Sequence, residues 1–179
     1  MGWSPGSEGS LGKARLVEEQ TAGGKSIRIA GPEGYLPSAE IIAAAEDRAA
    51  ETGGSVLVTV DAAEALLGAD VVATDTWVSM GQEDEKEARL QLFRGYAVDE
   101  AAMKLAAPDA VVLHCLPAYR GYEIAAAVID GPQSIVWDEA ENRLHAQKAL
   151  MAWLMHRSGL AVVDGLAPVD GPAPVDGSV

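Results

Sequence analysis

Residues 110–117 read Ala110-Val111-Val112-Leu113-His114-Cys115-Leu116-Pro117, an apolar run that ends in polar, reactive side chains and a proline. Upstream, the apolar run Asp70–Ala73 ends in Thr74-Asp75-Thr76-Trp77-Val78-Ser79-Met80-Gly81. Both runs are typical of buried parallel strands. Because ligands of an open α/β sheet bind outside the carboxyl ends of its strands, the two endings predict one shared pocket.

The rest of the chain alternates short β-branched runs with helical patterns. Strands are predicted at Ser26–Ala30, Ser55–Val60, Asp70–Asp75, Ala110–Cys115 and Ser134–Trp137. Helices are predicted from the Ser38 cap to Gly53, from the Asp61–Glu64 capping box to Gly68, and at about Glu83–Phe93, Asp99–Ala106, Glu123–Ile129 and Glu139–His156. This spacing indicates βαβ units. The predicted fold class is α/β, a doubly wound (Rossmann-like) parallel sheet flanked by helices.

The composition excludes several classes of partner. The chain has 179 residues and a formal net charge of -14, which argues against nucleic acid and against an anionic membrane surface. Its one cysteine, Cys115, excludes an internal disulfide and suits a reducing compartment. Met1–Ser10 lacks the pattern of a signal peptide, and no apolar run approaches the ~20 residues of a spanning helix. We therefore expect a cytoplasmic protein.

Three segments follow from the pattern along the chain. Residues 1–24 have several glycines and little periodicity, so we expect an irregular N-terminal segment. Residues 25–157 form the folded domain. Residues 158–179 are rich in Pro, Gly and Asp, and Ala167–Gly171 recurs as Ala173–Gly177. Two such short copies cannot build a repeat fold, so we expect a disordered tail.

Several residues beyond the two strands could carry chemistry. The Asp75 carboxylate could pair with a cationic amine in the crevice, or it could cap its own loop. Cys115 could bind or react there, or it could pack as an inert thiol. Ser79-Met80-Gly81 could cradle a ligand or form a surface turn. His114 points away from Cys115 in an alternating strand, which disfavours a Cys–His nucleophile pair.

The last predicted helix brings one basic residue close to its start. Arg143, in the predicted first turn, could fork onto a phosphate or carboxyl oxygen, or it could pair with Glu139 four residues earlier. Three scattered histidines and one cysteine have no metal-ligand spacing. The sequence therefore predicts no metal site.

Three motifs occur in one order along the chain: Asp75-Thr76-Trp77-Val78-Ser79-Met80-Gly81-Gln82-Glu83, His114-Cys115-Leu116-Pro117-Ala118 and Glu139-Ala140-Glu141-Asn142-Arg143-Leu144-His145-Ala146-Gln147. Together they resemble the ornithine-binding half of the ornithine carbamoyltransferase family. The resemblance covers roughly Ile27–Trp153, and its most specific parts are the Ser-Met-Gly loop and the His-Cys-Leu-Pro run. It identifies residues 25–157 as an ornithine-binding domain.

The resemblance implies the roles of individual residues. Ornithine is held by Asp75, Ser79 and Met80. Carbamoyl phosphate is met by Cys115, Leu116 and Arg143, of which Cys115 and Arg143 are the catalytic residues. Cys115, with Asp75 nearby, orients the amine, and Arg143 neutralises the developing phosphate charge.

The implied reaction is one step of arginine metabolism. The side-chain amine of ornithine attacks the carbamoyl carbon of carbamoyl phosphate, and citrulline and phosphate form. The partners are therefore ornithine and carbamoyl phosphate, and the reaction uses neither a metal ion nor an organic cofactor. The complete family forms homotrimers.

Part of the family pattern does not occur in these residues. The family binds carbamoyl phosphate through a Ser-Thr-Arg-Thr loop and a His-Pro-x-Gln segment, and neither string is present. The first strand of the ornithine-binding half is also missing, so we expect the sheet to lack its first central strand, between Ser26–Ala30 and Asp70–Asp75. Three hypotheses follow: a truncated ornithine carbamoyltransferase, a non-catalytic amino-acid-binding module or half-enzyme that needs a separate partner chain, and a structural remnant.

Overall fold

The computed structural model describes residues 25–78 and 86–159. The chain divides into two units, residues 1–139 and 140–179. The helices in the described residues are α1 Ala39–Thr52, α2 Ala62–Leu66, α3 Lys86–Phe93, α4 Glu100–Met103, α5 Ala126–Ile129 and α6 Val136–Arg157, with a 3-10 turn at Arg94–Tyr96. None of these helices has both the length and the apolar character needed to cross a membrane.

Four short strands pair in parallel. They are β1 Ser26–Ala30, β2 Ser55–Thr59, β3 Val71–Thr74 and β4 Val111–His114. β1 pairs with β2 and β3 pairs with β4, which gives two two-stranded sheets in the described residues. The α/β class with parallel strands is confirmed. Within residues 25–78 and 86–159 no strand joins the two sheets, which is the arrangement expected where the first central strand is missing.

The β3–β4 sheet carries the larger core of the first unit. The buried apolar side chains of this core come from the two strands, the helices α4 and α5, and the start of α6: Val72, Val98, Met103, Ala110, Val112, Ile124, Val128, Ile129 and Val136. In β4, Val112 and His114 are both buried, because alternate residues of a strand share a face. Cys115, the next residue, is exposed. The core thus fixes the strand end from which the cysteine emerges.

The predicted strand at Ser134–Trp137 is wrong. This segment makes only an isolated parallel bridge between Val112 and Ser134, and helix α6 already begins at Val136. The backbone carbonyl of Ile135 accepts a hydrogen bond from the Glu139 N–H, as in the first turn of a helix. The start of the helix therefore overrides the β preference of Ser-Ile-Val-Trp. As a consequence, Arg143 lies about two turns inside α6 and not in its first turn.

The predicted caps of α1 and α2 form in part. The Asp61 carboxylate accepts hydrogen bonds from the N–H groups of Ala63 and Glu64 at the start of α2. The reciprocal half of the predicted capping box is absent, because the Glu64 carboxylate accepts instead from the Thr59 hydroxyl at 2.6 Å. Gly53 ends α1 in a left-handed conformation, with φ of 78°. Ser38 stands at the N-cap of α1 without a side-chain capping bond.

The predicted terminal segments lie almost entirely outside the described residues. Residues 1–24 and 160–179 are not described, so the irregular segment and the disordered tail stay predictions. The predicted domain boundaries at 25 and 157 stay predictions as well.

Candidate active site

The β3–β4 register brings two chemically distinct side chains together. Thr74, the last residue of β3, lies opposite His114, the last residue of β4. Asp75 and Cys115 follow these two residues and leave the same edge of the sheet. The Cys115 thiol donates a hydrogen bond to Asp75 Oδ1, with a Sγ–Oδ1 distance of 3.0 Å. Two residues 40 positions apart thus form one polar pair at the strand ends, where the sequence predicts a shared pocket.

The surroundings of Cys115 keep its thiol protonated. The pKa rises from 9.0 to about 11, first because neighbouring atoms displace water from the sulfur, and then because Asp75 accepts the thiol hydrogen and adds negative charge. The Glu139 carboxylate contributes in the same direction. The residue as a whole is exposed. At neutral pH it is therefore a hydrogen-bond donor, and this argues against a thiolate nucleophile.

One of the two roles that the sequence left open for Asp75, the cap of its own loop, is seen in the structure. Its Oδ1 accepts a hydrogen bond from the Thr76 N–H at 2.7 Å, so the carboxylate caps its own loop. The same oxygen also accepts from Cys115. The carboxylate is only partly exposed, which strengthens its interaction with a cation relative to a fully solvated group.

Aromatic side chains anchor the chain just beyond Asp75. The Trp77 ring packs against Phe93 at the end of α3, with 5.9 Å between centroids. Phe93 also meets the edge of Tyr35 at 5.0 Å, and the Arg89 guanidinium lies 5.2 Å from the Tyr35 ring centroid. The sequence analysis missed this cluster, because its members are far apart along the chain.

A second group of polar contacts holds the segment after Cys115. His114 and Glu123 are buried, each 1% exposed, and His114 Nε2 lies 3.2 Å from Glu123 Oε1. The Leu116 N–H donates to His114 Nδ1 at 2.9 Å, and the Tyr119 N–H donates to Glu123. The Leu116–Pro117 peptide bond is cis. Sequence reasoning missed Glu123, since glutamate is seldom buried and no local pattern marks it.

The other predicted site residues are Leu116, Arg143, Ser79 and Met80. The Leu116 backbone has φ of 53° and continues directly from Cys115. Arg143 lies in the second unit, on α6, with an exposed side chain. Ser79 and Met80 lie outside the described residues. The structure therefore brings together Asp75 and Cys115, and Leu116 follows Cys115 in the chain.

Within residues 25–78 and 86–159, no group of three or more His, Cys, Asp or Glu side chains is arranged to hold a metal ion.

A family profile and individual known proteins are all similar to this sequence over most of its length. The sequence profile for aspartate/ornithine carbamoyltransferase, Asp/Orn binding domain, matches residues 15–154. The ornithine carbamoyltransferase of Renibacterium salmoninarum is 70% identical over 149 residues, which cover 83% of this chain and 48% of the relative. The ornithine carbamoyltransferase of Leifsonia xyli is 62% identical over 149 residues, which cover 83% of this chain and 47% of the relative.

A solved structure shows the same relationship. The ornithine carbamoyltransferase from Pyrococcus furiosus is 49% identical and superposes with a TM-score of 0.74, over 78% of this chain and 44% of that one. The chain spans about half the length of the curated relatives that it matches.

Proposed function

Because the chain belongs to the aspartate/ornithine carbamoyltransferase family, through its Asp/Orn binding domain, we propose that it forms the ornithine side of an ornithine carbamoyltransferase site. The complete reaction transfers the carbamoyl group of carbamoyl phosphate to the side-chain amine of ornithine and yields citrulline and phosphate. This chain binds and orients the amine. Ornithine carbamoyltransferases at up to 70% identity support this assignment.

The observation that carries the proposal is the Cys115–Asp75 pair. Its Sγ–Oδ1 distance of 3.0 Å brings a protonated thiol and a carboxylate to the same strand edge. A carboxylate attracts an alkylammonium ion and accepts hydrogen bonds from it. The bound amine must lose a proton to the solvent before it attacks, since its free pKa is ~10.4 by analogy with lysine. The neutral amine donates its N–H hydrogens to the Asp75 carboxylate and the Cys115 sulfur, so its lone pair stays free for attack.

The carbamoyl-phosphate side of the proposal involves other residues. Leu116 follows Cys115 directly, so its backbone lies beside the position of the attacking amine. Arg143 would contribute a guanidinium that neutralises phosphate charge as the carbamoyl–phosphate bond breaks. Ser79 and Met80 would hold the amino-acid end of ornithine. These roles come from the family resemblance.

The context of the reaction is part of the same proposal. The family's carbamoyl-phosphate motifs do not occur in these 179 residues, so turnover requires a component that contains them. Homotrimer formation is proposed from the family resemblance. A reducing, cytoplasmic compartment is proposed because it suits the single cysteine. The alternative function is a non-catalytic amino-acid-binding module or a half-enzyme that needs a separate partner chain.

Calorimetric titration of the purified chain with ornithine tests the binding proposal. Norvaline, which has the same carbon chain without the side-chain amine, serves as the matched ligand. We expect ornithine to bind at least tenfold more tightly than norvaline, and Asp75→Asn to reduce ornithine affinity by about 10- to 100-fold, as expected for one charge-assisted hydrogen bond. Asp109→Asn, which removes an exposed carboxylate before β4, should change nothing.

A second measurement distinguishes the enzyme from the binding module. Citrulline formation is followed after mixing the chain with a carbamoyl-phosphate-binding half from a relative. Turnover that appears only in the mixture supports the half-enzyme. Ornithine binding without any turnover supports the non-catalytic module, and equal affinity for ornithine and norvaline contradicts both.

A further inference from the structure

The proposed ornithine site does not use one buried polar pair beside it. Among the described residues, His114 and Glu123 are the polar or charged side chains that are buried, each with 1% exposure. Their side chains approach to 3.2 Å between Nε2 and Oε1. Burial of two ionisable groups costs free energy unless each has hydrogen-bond partners. The pair therefore needs a structural or functional reason.

The hydrogen bonds define the protonation of the His114 ring. The Leu116 N–H donates to Nδ1 at 2.9 Å, so Nδ1 offers a lone pair and carries no hydrogen. The single ring hydrogen of this neutral tautomer is on Nε2, from which it is donated to Glu123 Oε1. A doubly protonated ring would place a hydrogen against the Leu116 N–H. This arrangement thus requires neutral His114.

These contacts fix the backbone on both sides of Cys115. The His114 N–H donates to Glu139 Oε2 at 2.9 Å, which holds the residue before the cysteine. Leu116, the residue after it, has φ of 53°, in the left-handed region that side chains larger than glycine seldom adopt. The hydrogen bond from the Leu116 N–H to the His114 ring offsets the energetic cost of that conformation. The direction of the Cys115 side chain therefore depends on the ring.

We infer that His114 and Glu123 are positioning residues: Glu123 holds the neutral His114 ring, and the ring fixes the Cys115–Leu116 backbone so that the thiol meets Asp75. The inference rests on the proposed function in so far as the Cys115–Asp75 pair receives the ornithine amine. The His114 and Glu123 side chains contact the backbone N–H groups of Leu116 and Tyr119 and take no direct part in the reaction.

Alkylation of Cys115 by iodoacetamide between pH 7 and pH 11 tests the inference. The chain has a single cysteine, so the rate reports one thiol. His114→Gln provides an amide group for Glu123 and removes the Nδ1 acceptor. In this variant we expect the thiol to lose its contact with Asp75 and the Cys115 pKa to fall from about 11 toward 9.0. The alkylation rate at pH 8.5 should then rise about tenfold, after allowance for the lower nucleophilicity of a less basic thiolate.

Two control variants sharpen the result. Glu123→Gln keeps an oxygen that can accept from the ring and from Tyr119, so its rate should stay within about twofold of the wild type. Arg120→Gln breaks the exposed pair between Arg120, in the same loop as Glu123, and Asp130 at the end of α5, and it should also leave the rate unchanged. A folded His114→Gln protein with the wild-type rate would overturn the inference.

A measurement on the wild type covers the case in which His114→Gln does not fold. Two-dimensional ¹H–¹⁵N spectra of the histidine rings at pH 7 should show His114 with a bare Nδ1 and a protonated Nε2. The exposed His145 and His156 provide the comparison. A hydrogen on His114 Nδ1 would contradict the inference. Neither the alkylation of Cys115 nor the histidine spectra require ornithine. A failure of ornithine to bind would therefore contradict the proposed function without changing the test of the positioning role.

Discussion

Thr74 and His114 are paired in the parallel register of β3 and β4, so the next residue on each strand, Asp75 and Cys115, emerges at the same sheet edge. This relationship explains how residues 40 positions apart come to share a hydrogen bond. It also makes each of them a probe of the other, because the carboxylate charge alters the acidity of the thiol.

The first prediction concerns that acidity. Asp75→Asn removes a negative charge and a strong acceptor beside Cys115, so the thiol pKa should fall from about 11 and stay above 9.0, since desolvation of the sulfur persists. For each unit of decrease, the alkylation rate at pH 8.5 should rise about three- to fourfold. The measurement is the pH dependence of alkylation in wild type and variant.

Asp109→Asn is the control for this prediction, because it changes the net charge by the same amount at a distance from the thiol. An unchanged thiol pKa in folded Asp75→Asn would show that the two side chains are not in contact in solution.

The second prediction concerns stability at alkaline pH. The Cys115 pKa is about 11 in the folded chain, against 9.0 as its ordinary value. The unfolded thiol therefore loses its proton first, so the contribution is fully present below pH 9 and is lost as the pH rises through 11. After discounting for the exposure of the residue, we expect about 1 kcal/mol.

Urea unfolding of wild type and Cys115→Ser at pH 8 and pH 11 measures this contribution. Serine can still donate to Asp75 and does not ionise in this range, and all other ionisable groups are the same in the two proteins. The wild type should lose more stability than the variant. If wild type and Cys115→Ser lose the same stability between pH 8 and pH 11, the Cys115 pKa is not raised by folding.

Much of this site could be predicted from the sequence, because it depends on local patterns. The apolar runs before Asp75 and Cys115 define both strand ends, and parallel strands collect their carboxyl ends at one edge. Strand alternation also separates His114 from Cys115, as observed in their opposite burial. The motif resemblance then supplied roles for these residues that periodicity alone could not supply.

Other features depend on contacts that no local pattern records. Glu123 precedes the observed helix α5 and would ordinarily be solvated; its burial follows from hydrogen bonds with the His114 ring and the Tyr119 N–H. The Ser134–Trp137 segment has high β propensity, yet it adds only one bridge to β4 before helical hydrogen bonding begins. Tertiary contacts decide both outcomes.

The third prediction concerns the loop after β4. Arg120 donates to both Asp130 oxygens, at 2.9 and 2.7 Å, and these hydrogen bonds hold the pKa of the Asp130 carboxyl below its ordinary value. The stabilisation is therefore present above the ordinary carboxyl pKa and is lost as the pH falls through the lowered one. Asp130→Asn should reduce Tm slightly at pH 7, and the difference from wild type should disappear in strong acid.

High salt at pH 7 should also reduce that difference, because both side chains are exposed. Arg120→Gln should give the same small effect, and the double variant should add little to either single change. Additive losses in the double variant would show that the two residues do not interact.

The fourth prediction tests the core that holds the two strand ends in register. Val112 on β4 is fully buried, whereas Val71 on β3, in the same sheet, is 52% exposed. Val112→Ala removes two buried carbon atoms and leaves a cavity, so we expect a loss of about 2 kcal/mol in the free energy of unfolding. Val71→Ala makes the same chemical change at a solvated position and should cost less than about 0.5 kcal/mol. Urea unfolding at pH 7 gives both values, and similar losses in the two variants would show that the β3–β4 core is not packed as described.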